Sequence, residues 1–355
     1  MVLTDPRQID AAWIAQALQR AGVVPAGAVQ SVAVETDGAR SWSRIVRVRV
    51  DYHEGPAGRL PERLLVKLCG AEGGVFGRSE VDYYRRDYVG AADAPLPRCF
   101  DAAFDDATRH YHLLLEDLSD SHVNGDQVQP DEAFGRALVD SLAALHAHGR
   151  VAAAAAASGP GVSLKADIER YVAHVSSGLE PLLDRVGDTL APPWPARLRR
   201  LFATLTERFA ARVEDPRGLT LVHGDLNPGN LLVPRDRRGP VLFIDRQPFD
   251  WSLTRWLGAC DLAYAIVPWW DSGLRRRLEG PLLQHYHAAL QARGVDDMPL
   301  EQLHADYRLG IEMAIAVAVE WCVLESDRDR MRWLWSVQLQ RALAAYDDGS
   351  IAATP

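Results

Sequence analysis

A short β-rich stretch interrupts a second half whose other segments all have helical spacing. It covers residues 219–245 and reads LTLVHGDLNPGNLLVPRDRRGPVLFID. Apolar strands deliver Asp225 at the end of one strand, Asn230 five residues later and Asp245 after a further strand. Asp, Asn, Pro and Gly are also common in ordinary turns, so an HGD triplet alone would be a turn more often than a site. The full string is far more specific, and we interpret it as a functional loop.

The residue types in this loop suit the transfer of a phosphoryl group to a hydroxyl. That reaction needs a carboxylate that orients the hydroxyl and accepts its proton, and Asp225 is the candidate. It also needs an amide and a carboxylate as hard oxygen ligands that hold Mg²⁺ against nucleotide phosphates, here Asn230 and Asp245. The order matches a kinase catalytic loop, H-R-D-x-x-x-x-N, with Gly224 in place of the arginine.

Composition excludes several other classes of protein. With 355 residues, 48% hydrophobic and 25% charged, the chain is predicted to be a folded, soluble protein rather than a disordered or membrane-embedded one. A net charge of −9 disfavours nucleic acid and anionic membranes as partners. Four cysteines without a CxxC pair, and no secretory pattern at the start, predict a cytoplasmic location. The oligomeric state is left open.

The order of patterns predicts an α+β fold with a mostly antiparallel first part and a helical second part. Alternating apolar residues predict strands at Ser31–Glu35 and Arg44–Tyr52, and short apolar runs predict strands at Leu64–Cys69 and Arg109–Glu116. Helical spacing predicts helices at Ser79–Tyr88 (with a serine cap), Glu132–His148, Leu164–Leu183, Pro195–Val213, Gly273–Arg293, Leu300–Leu324 and Asp329–Tyr346. We predict an N-terminal lobe, residues 1–118, that binds nucleotide. The C-terminal lobe, residues 119–355, would carry the catalytic loop and the substrate-binding helices.

Lys67 lies in the middle of an apolar strand, LLVKLC. A strand that is buried on both sides of a lysine must provide a partner for its charge. Glu80, thirteen residues later near the start of the predicted helix, can be that partner, as in the strand-lysine to helix-glutamate pair of kinases. The alternative is an edge-strand lysine that faces water. The position of Lys67 relative to Glu80 and the loop favours the ion pair.

Two further segments are candidates for contacts with a nucleotide. The loop Thr36–Ser43 could cover phosphates with its backbone N–H groups and the hydroxyls of Ser41 and Ser43, although it could equally be a plain hairpin loop. Backbone groups from Glu116 to Leu118 could face the adenine edge, and the alternative is a simple interdomain connection.

The chain resembles the aminoglycoside phosphotransferase and choline kinase superfamily, and within it the ecdysteroid kinase-like, CHK-type phosphotransferases. The motifs that carry the resemblance are the strand lysine, the helix glutamate, EDL, HGDLNPGN, FID and GACDLAYAI. The resemblance implies a protein-kinase-like two-lobe fold and dependence on ATP and Mg²⁺. It implies Asp225 as the base, Asn230 and Asp245 as metal ligands, Asp261 as a structural support and His223 as a scaffold residue. One departure is Arg246, at a position where the family usually has an aromatic residue.

The substrate is expected to be a small organic molecule with a hydroxyl group. Only about a dozen residues separate Asp245 from GACDLAYAI, too few for the activation loop of a protein kinase. Trp269 and Trp270, in a loop-like PWWDSG, are tentative candidates for an aromatic wall around the acceptor. The acceptor could be an antibiotic, another natural product or an amino alcohol. The preference for ATP or GTP is also left open. The alternative to an enzyme is a catalytically silent kinase-fold protein that binds nucleotide or a small ligand.

Overall fold

The computed structural model describes residues 2–39, 42–53, 60–70, 75–157 and 163–352. By its internal contacts the chain groups into two units. The first comprises Met1–Ala92, Leu96–Val123 and Leu242–Asp250, and the second comprises Asp93–Pro95, Asn124–Val241 and Trp251–Pro355. The predicted lobe boundary after residue 118 did not anticipate that the segment with Asp245 groups with the N-terminal residues. The physical reason is that this segment is hydrogen-bonded to the N-terminal residues, for example through the carbonyls of Gln247 and Pro248, which accept from Ser79 and Gly77.

The first unit is built on a five-stranded antiparallel sheet. Its strands are β1 (Val29–Ala39), β2 (Ser43–Tyr52), β3 (Arg63–Cys69), β4 (Cys99–Phe104) and β5 (Tyr111–Glu116). Their order is β1-β2-β3-β5-β4, so β3 is central and is paired on both edges. Lys67 therefore does not lie on an edge strand, and the water-facing alternative is wrong.

Both faces of this sheet are buried around β3. Helix α1 (Ala11–Arg20), whose cap is the Asp10 side chain, packs Ile14 and Leu18 against one face, which includes Val66 of β3. The other face belongs to a second apolar cluster that includes Cys69 of the same strand. Because side chains alternate along a strand, Lys67 points to the face of this second cluster.

Three local predictions for the first unit need correction. The β1–β2 pairing continues to Ala39, which pairs with Arg44, and β2 begins at Ser43, so most of the predicted loop Thr36–Ser43 is strand. No strand is predicted over Cys99–Phe104, where β4 forms, and Asp101 interrupts the apolar pattern of this segment. That carboxylate is buried beside the His112 imidazole, with the Nε2 atom 3.2 Å from Oδ2. The partner comes from another strand and is not visible in the local sequence.

The predicted helix Ser79–Tyr88 is also irregular. Helix α2 covers Ser79–Asp82 and continues as a π-helical turn over Tyr83–Asp87. Ser79 does not cap it, because the Ser79 hydroxyl donates to the Gln247 carbonyl at 2.7 Å. A tertiary contact has therefore replaced the local one.

The second unit is mainly helical. Its helices are α3 (Glu132–Ala157), α4 (Leu164–Ser176), α5 (Leu179–Val186), α6 (Trp194–Arg212), α7 (Gly258–Ile266), α8 (Ser272–Gln291), α9 (Leu300–Glu320), α10 (Glu325–Arg330) and α11 (Arg332–Ala352). The short strands of the remaining chain are β6 (His122–Asn124), β7 (Leu219–Leu221), β8 (Leu231–Pro234), β9 (Leu242–Phe243) and β10 (Arg255–Leu257), and β7 pairs with β10. None of the helices in the described ranges combines the length and hydropathy that a membrane crossing requires.

One predicted helix of this unit is broken. The span Leu164–Leu183 forms α4 and α5, which are separated at Ser177 and Gly178. A Cβ atom on Gly178 would collide with the carbonyl oxygen of Val319 on α9. The break lets the backbone approach α9 closely, and only glycine permits that approach.

Candidate active site

In the first unit, Lys67 is held between two carboxylates. Its Nζ lies 2.7 Å from both oxygens of Glu80 and 2.9 Å from Oδ1 of Asp245. Lys67 comes from the central strand, Glu80 from the first turn of α2, and Asp245 from the segment that follows β9. The sequence predicted these three side chains as parts of one site, and the structure brings all three to one ammonium group.

Burial makes this ion pair electrostatically strong. The side chains of Lys67 and Glu80 are 7% and 1% exposed, whereas that of Asp245 is 38% exposed. Burial alone would lower the pKa of Lys67, but the charges of Asp245 and Glu80 outweigh it and raise that pKa well above its usual value. Lys67 therefore stays charged. The hydroxyl of Tyr111 donates to Glu80, which stabilises the buried carboxylate further.

The backbone of Asp245 has a left-handed conformation, with φ of 61°. A non-glycine residue rarely adopts this conformation, and it persists only where neighbouring contacts fix it. The following residues supply such contacts, because the N–H of Gly77 donates to the Pro248 carbonyl at 2.6 Å. Phe249 also stacks on Phe76, with ring centroids 5.7 Å apart. The exposed carboxylate of Asp245 is thus presented from a fixed position.

The other predicted nucleotide contacts are placed less decisively. Ser41 lies outside the described residues, and Ser43 is half-buried in β2, where it pairs with Cys69. The N–H of Glu116 donates to the Arg98 carbonyl at 2.9 Å. The carbonyl of Leu118 accepts from two residues of the next turn. These backbone groups are therefore used within the first unit, and an adenine contact by Glu116 or Leu118 stays a prediction.

In the second unit, Asp225 is surrounded by hydrogen-bond donors. Its Oδ1 accepts from the Asn227 amide at 3.0 Å and from the Tyr264 hydroxyl at 3.4 Å. Its Oδ2 accepts from the Asn230 amide at 3.0 Å. Donors on both oxygens favour the ionised carboxylate and fix its orientation, as a proton acceptor for a hydroxyl requires.

The structure adds two residues to this loop that sequence reasoning had missed. Asn227 bridges the loop, because its side-chain oxygen also accepts from the Gly229 N–H at 2.9 Å. Tyr264 follows Asp261 by three positions on α7, so both lie on one helix face. That spacing was a usable signal. Burial and the charges of Asp225 and Glu320 raise the pKa of Tyr264 well above its usual value, so the hydroxyl remains a donor.

Asp261 holds the backbone of the loop. Its carboxylate accepts from the N–H groups of His223 at 2.6 Å and of Gly224 at 3.0 Å. The imidazole Nδ1 of His223 in turn accepts from the N–H of Asp225 at 3.3 Å. Gly224 has φ of 82°, a conformation that an arginine at this position would adopt only with strain. Glycine therefore suits the backbone of this loop better than arginine would.

Replacing Asp261 by Asn should destabilise the protein by about 1 to 3 kcal/mol, because the amide would offer a donor to at least one buried N–H. Burial raises the pKa of Asp261, but the His146 hydrogen bond and charge outweigh it and leave the pKa below its usual 3.8. A depressed carboxyl pKa stabilises the fold above pH 3.8, and that contribution is lost as the pH falls through the folded-state pKa. Urea unfolding at several pH values measures the difference. A difference that persisted undiminished below that range would contradict the role of the charge.

The side chains that the sequence predicts for Mg²⁺ have suitable donor atoms. Asn230 donates through its amide nitrogen to Asp225, and its amide oxygen has no hydrogen-bond partner among the described residues. Asp245 offers a partly exposed carboxylate. No group of three or more His, Cys, Asp and Glu side chains is arranged for a metal in the described part of the chain. Mg²⁺ is usually held by one or two carboxylates plus substrate phosphates, so such a cage is not required.

The predicted aromatic wall is only partly supported by exposure. Trp270 is 2% exposed and packs near Phe134, with ring centroids 6.3 Å apart, so it is a core residue and cannot contact an acceptor as predicted. Trp269 is half-buried and meets the ring of Tyr264 edge-on at 6.0 Å. The sequence does not reveal which of the two adjacent tryptophans faces inward, because the PWW segment could be the end of a helix or part of a loop, and each would orient the rings differently.

A second aromatic group, which the sequence did not single out, lies around a carboxylate. Trp251 stacks on His174 with ring centroids 4.2 Å apart, and its Nε1 donates to Glu320 at 3.1 Å. The Nε2 atom of His174 lies 3.5 Å from the same oxygen. All three side chains are partly exposed. We call Trp251, His174 and Glu320 the aromatic–carboxylate cluster.

Comparison with solved structures gives a kinase-like α+β fold, as predicted. An ethanolamine kinase of Plasmodium vivax is similar over 88% of this chain and 82% of that one, with 13% identity and a TM-score of 0.53. A choline kinase of Streptococcus pneumoniae is similar over 95% of this chain and 98% of that one, with 13% identity and a TM-score of 0.49. The ecdysteroid kinase-like family model matches residues 82–295, more than half of the chain, and the chain belongs to that family. The predicted resemblance is therefore confirmed. No curated protein sequence matches the chain.

Proposed function

We propose that the chain is an ATP- and Mg²⁺-dependent O-phosphotransferase that phosphorylates a hydroxyl group of a small organic molecule. The observation that supports this most directly is the Lys67 ammonium group held by Glu80 and Asp245. A buried lysine with one buried and one exposed carboxylate is costly as a mere structural device. It is suited to orient the phosphates of a nucleotide.

The reaction would proceed by direct transfer. The acceptor hydroxyl oxygen would bond to the terminal phosphorus of ATP as the bond from that phosphorus to the bridging oxygen of ADP breaks. Asp225 would take the proton of the hydroxyl, and Lys67 would orient the α- and β-phosphates. Mg²⁺, bound by Asn230 or Asp245 together with the nucleotide, would neutralise charge on the phosphates.

The nucleotide contacts that the sequence predicts for the N-terminal lobe remain part of this proposal. Ser41 and Ser43 would cover the phosphates, and backbone groups of Glu116 and Leu118 would face the base. The four cysteines are free thiols, and ATP-dependent chemistry needs a nucleotide pool. We therefore propose a cytoplasmic enzyme.

The aromatic–carboxylate cluster supports an acceptor site in the second unit. Tyr264 lies beside Asp225, to which its hydroxyl donates at 3.4 Å, and the charges of Asp225 and Glu320 add to the burial that raises the pKa of Tyr264. The indole of Trp251 and the half-buried Trp269 would offer apolar surface. Glu320 would accept a hydrogen bond from a hydroxyl or an ammonium group of the acceptor.

An acceptor screen that follows release of the nucleoside diphosphate, ADP from ATP or GDP from GTP, tests the function. The panel would hold polycyclic alcohols, choline and ethanolamine, and aminoglycosides, each with ATP and with GTP, in the presence and absence of Mg²⁺. The Asp225→Asn variant is the matched control, because it removes the base and leaves the rest of the chain unchanged. Acceptor-dependent release of the nucleoside diphosphate by the wild type, but not by Asp225→Asn, would support the proposal. Mg²⁺-dependent nucleotide binding without transfer to any acceptor would instead favour the silent kinase-fold binder.

Changes in the aromatic–carboxylate cluster should weaken acceptor binding selectively. Trp251→Phe keeps a ring against His174 but loses the N–H that holds Glu320, and Glu320→Gln removes the charge. Each is expected to raise the KM of the acceptor roughly tenfold and to leave the KM of ATP within about twofold. Trp333→Phe, at a tryptophan that is 69% exposed, is the matched control. Equal changes in both KM values would argue against an acceptor role for the cluster.

A further inference from the structure

Arg246 directly follows Asp245, at the position where the chain departs from the aromatic residue usual in its family. Its side chain is 2% exposed, although a guanidinium group cannot lose its charge under physiological conditions. A buried charge is strongly unfavourable unless it finds acceptors. The partners of Arg246 therefore indicate what the residue does.

The Arg246 guanidinium contacts the helical segment of Glu80 at three positions. Its Nη1 donates to the carbonyl oxygen of Ser79 at 3.0 Å and to Oδ2 of Asp87 at 3.3 Å. Its central carbon lies 4.9 Å from the ring centroid of Tyr83, a distance at which a cation and an aromatic face attract each other. Ser79, Tyr83 and Asp87 are spaced four positions apart. Arg246 therefore contacts one side of the helical segment from its first turn to its last.

The same two chain segments therefore meet at two points. At one point Glu80 and Asp245 share the ammonium group of Lys67. At the other, Arg246 binds the residue before Glu80 and the end of the same helical segment. Arg246 and Asp245 are adjacent, so any displacement of the helical segment relative to Arg246 would also change the geometry around Lys67.

Two further hydrogen bonds join these segments at the beginning of the helix. The Ser79 hydroxyl donates to the carbonyl of Gln247, and the Gly77 N–H donates to that of Pro248. Arg246 extends the connection to Asp87, which closes the π-helical turn. π-Helical turns are often found at functional sites and are less regular than α-helix, so an anchor at this end restricts the segment.

We propose that Arg246 is a positioning residue that keeps both carboxylates on Lys67. Its anchors to Ser79 and Asp87 also help to fix the left-handed backbone of Asp245. A phenylalanine side chain could fill much of the same volume, but it has no donor for either oxygen. The catalytic consequence of this arrangement rests on the proposed phosphotransferase function, whereas the arrangement itself does not.

The lysine content of the chain allows a direct test. Lys67 and Lys165 are the only two lysines, and Lys165 is exposed. Acetylation by an amine-selective reagent, followed by mass spectrometry, gives the rate at Lys67 relative to Lys165 in the same molecule. In the wild type, Lys67 should react much more slowly. In Arg246→Met the ratio of the Lys67 rate to the Lys165 rate should rise roughly tenfold, because loss of a buried partner eases local opening.

Arg275→Met is the matched control. Arg275 is 1% exposed and binds Glu279 and Asp348 in the second unit, so its loss should lower the Tm without raising the Lys67 to Lys165 ratio. Asp87→Asn should shift the ratio in the same direction as Arg246→Met. Arg246→Lys should restore part of the wild-type value, because it keeps the charge but not the planar group.

The outcomes separate this inference from the proposed function. An unchanged ratio in Arg246→Met, or an equal rise in Arg275→Met, would overturn the positioning role even in an active kinase. If the wild type transferred no phosphate, the proposed function would fail, yet the acetylation ratio would still test Arg246. In an active enzyme, Arg246→Met should raise the KM of ATP and lower kcat, with little change in the KM of the acceptor.

Discussion

Asp225→Asn is expected to lower kcat by about 10² to 10⁴-fold while nucleotide binding is retained. The carboxylate accepts hydrogen bonds on both oxygens, from Asn227 and Tyr264 on one side and from Asn230 on the other. An asparagine has the same size but cannot take the proton of the acceptor hydroxyl. The NH₂ group of the new asparagine would also face one of the donor groups that now bind the carboxylate. Steady-state kinetics and a nucleotide-binding titration on the same preparation measure the two effects separately.

Asp236→Asn provides the control for Asp225→Asn, because Asp236 is an exposed aspartate a few residues along the same chain segment. It should leave both kcat and nucleotide affinity unchanged. Undiminished phosphorylation by Asp225→Asn would reject Asp225 as the base. Loss of nucleotide binding together with activity would instead show that the substitution had disturbed the loop as a whole.

Lys67→Ala should raise the KM of ATP and lower kcat together, because Lys67 would orient the nucleotide as well as bind it. The substitution also leaves Glu80, 1% exposed, without its cation. Removing one partner of a buried ion pair costs about 3 to 5 kcal/mol, so a lower free energy of unfolding is expected as well. Lys67→Arg should not rescue fully, since the planar group is larger than the ammonium group that fits between the two carboxylates.

Lys165→Ala is the natural comparison for Lys67→Ala, because it removes the other lysine of the chain from an exposed position. Its kinetic constants and its unfolding free energy should equal those of the wild type. Wild-type kinetics in Lys67→Ala, with folding intact, would leave the nucleotide site of the first unit without support.

The sequence by itself predicted the main elements and the members of the site. Period-two alternation identified β2, whereas continuous apolar runs identified β3 and β5, which are buried on both faces. Lys67 and Glu80 could be paired in advance, since a lysine inside an apolar strand requires a carboxylate nearby. The order of Asp225, Asn230 and Asp245 predicted a kinase-type catalytic loop and was part of the family resemblance that the family model confirms.

Other features could not be predicted because their causes lie in distant parts of the chain. Strand β4 contains a buried Asp101 whose partner is on the next strand. Whether Trp269 or Trp270 is the more exposed depends on packing against distant residues, since Trp270 meets Phe134 and Trp269 meets Tyr264. Local pattern carries no information about such pairings.

Tertiary structure alone decided where the segment after Asp245 packs and how Arg246 is used. The two acceptors of Arg246 lie 167 and 159 positions away in the sequence. A buried guanidinium must find acceptors wherever the fold places them, whereas a strand or helix pattern depends on neighbours only a few residues away. Periodicity therefore determined the elements of this protein, and the need to satisfy buried charge determined how its site is assembled.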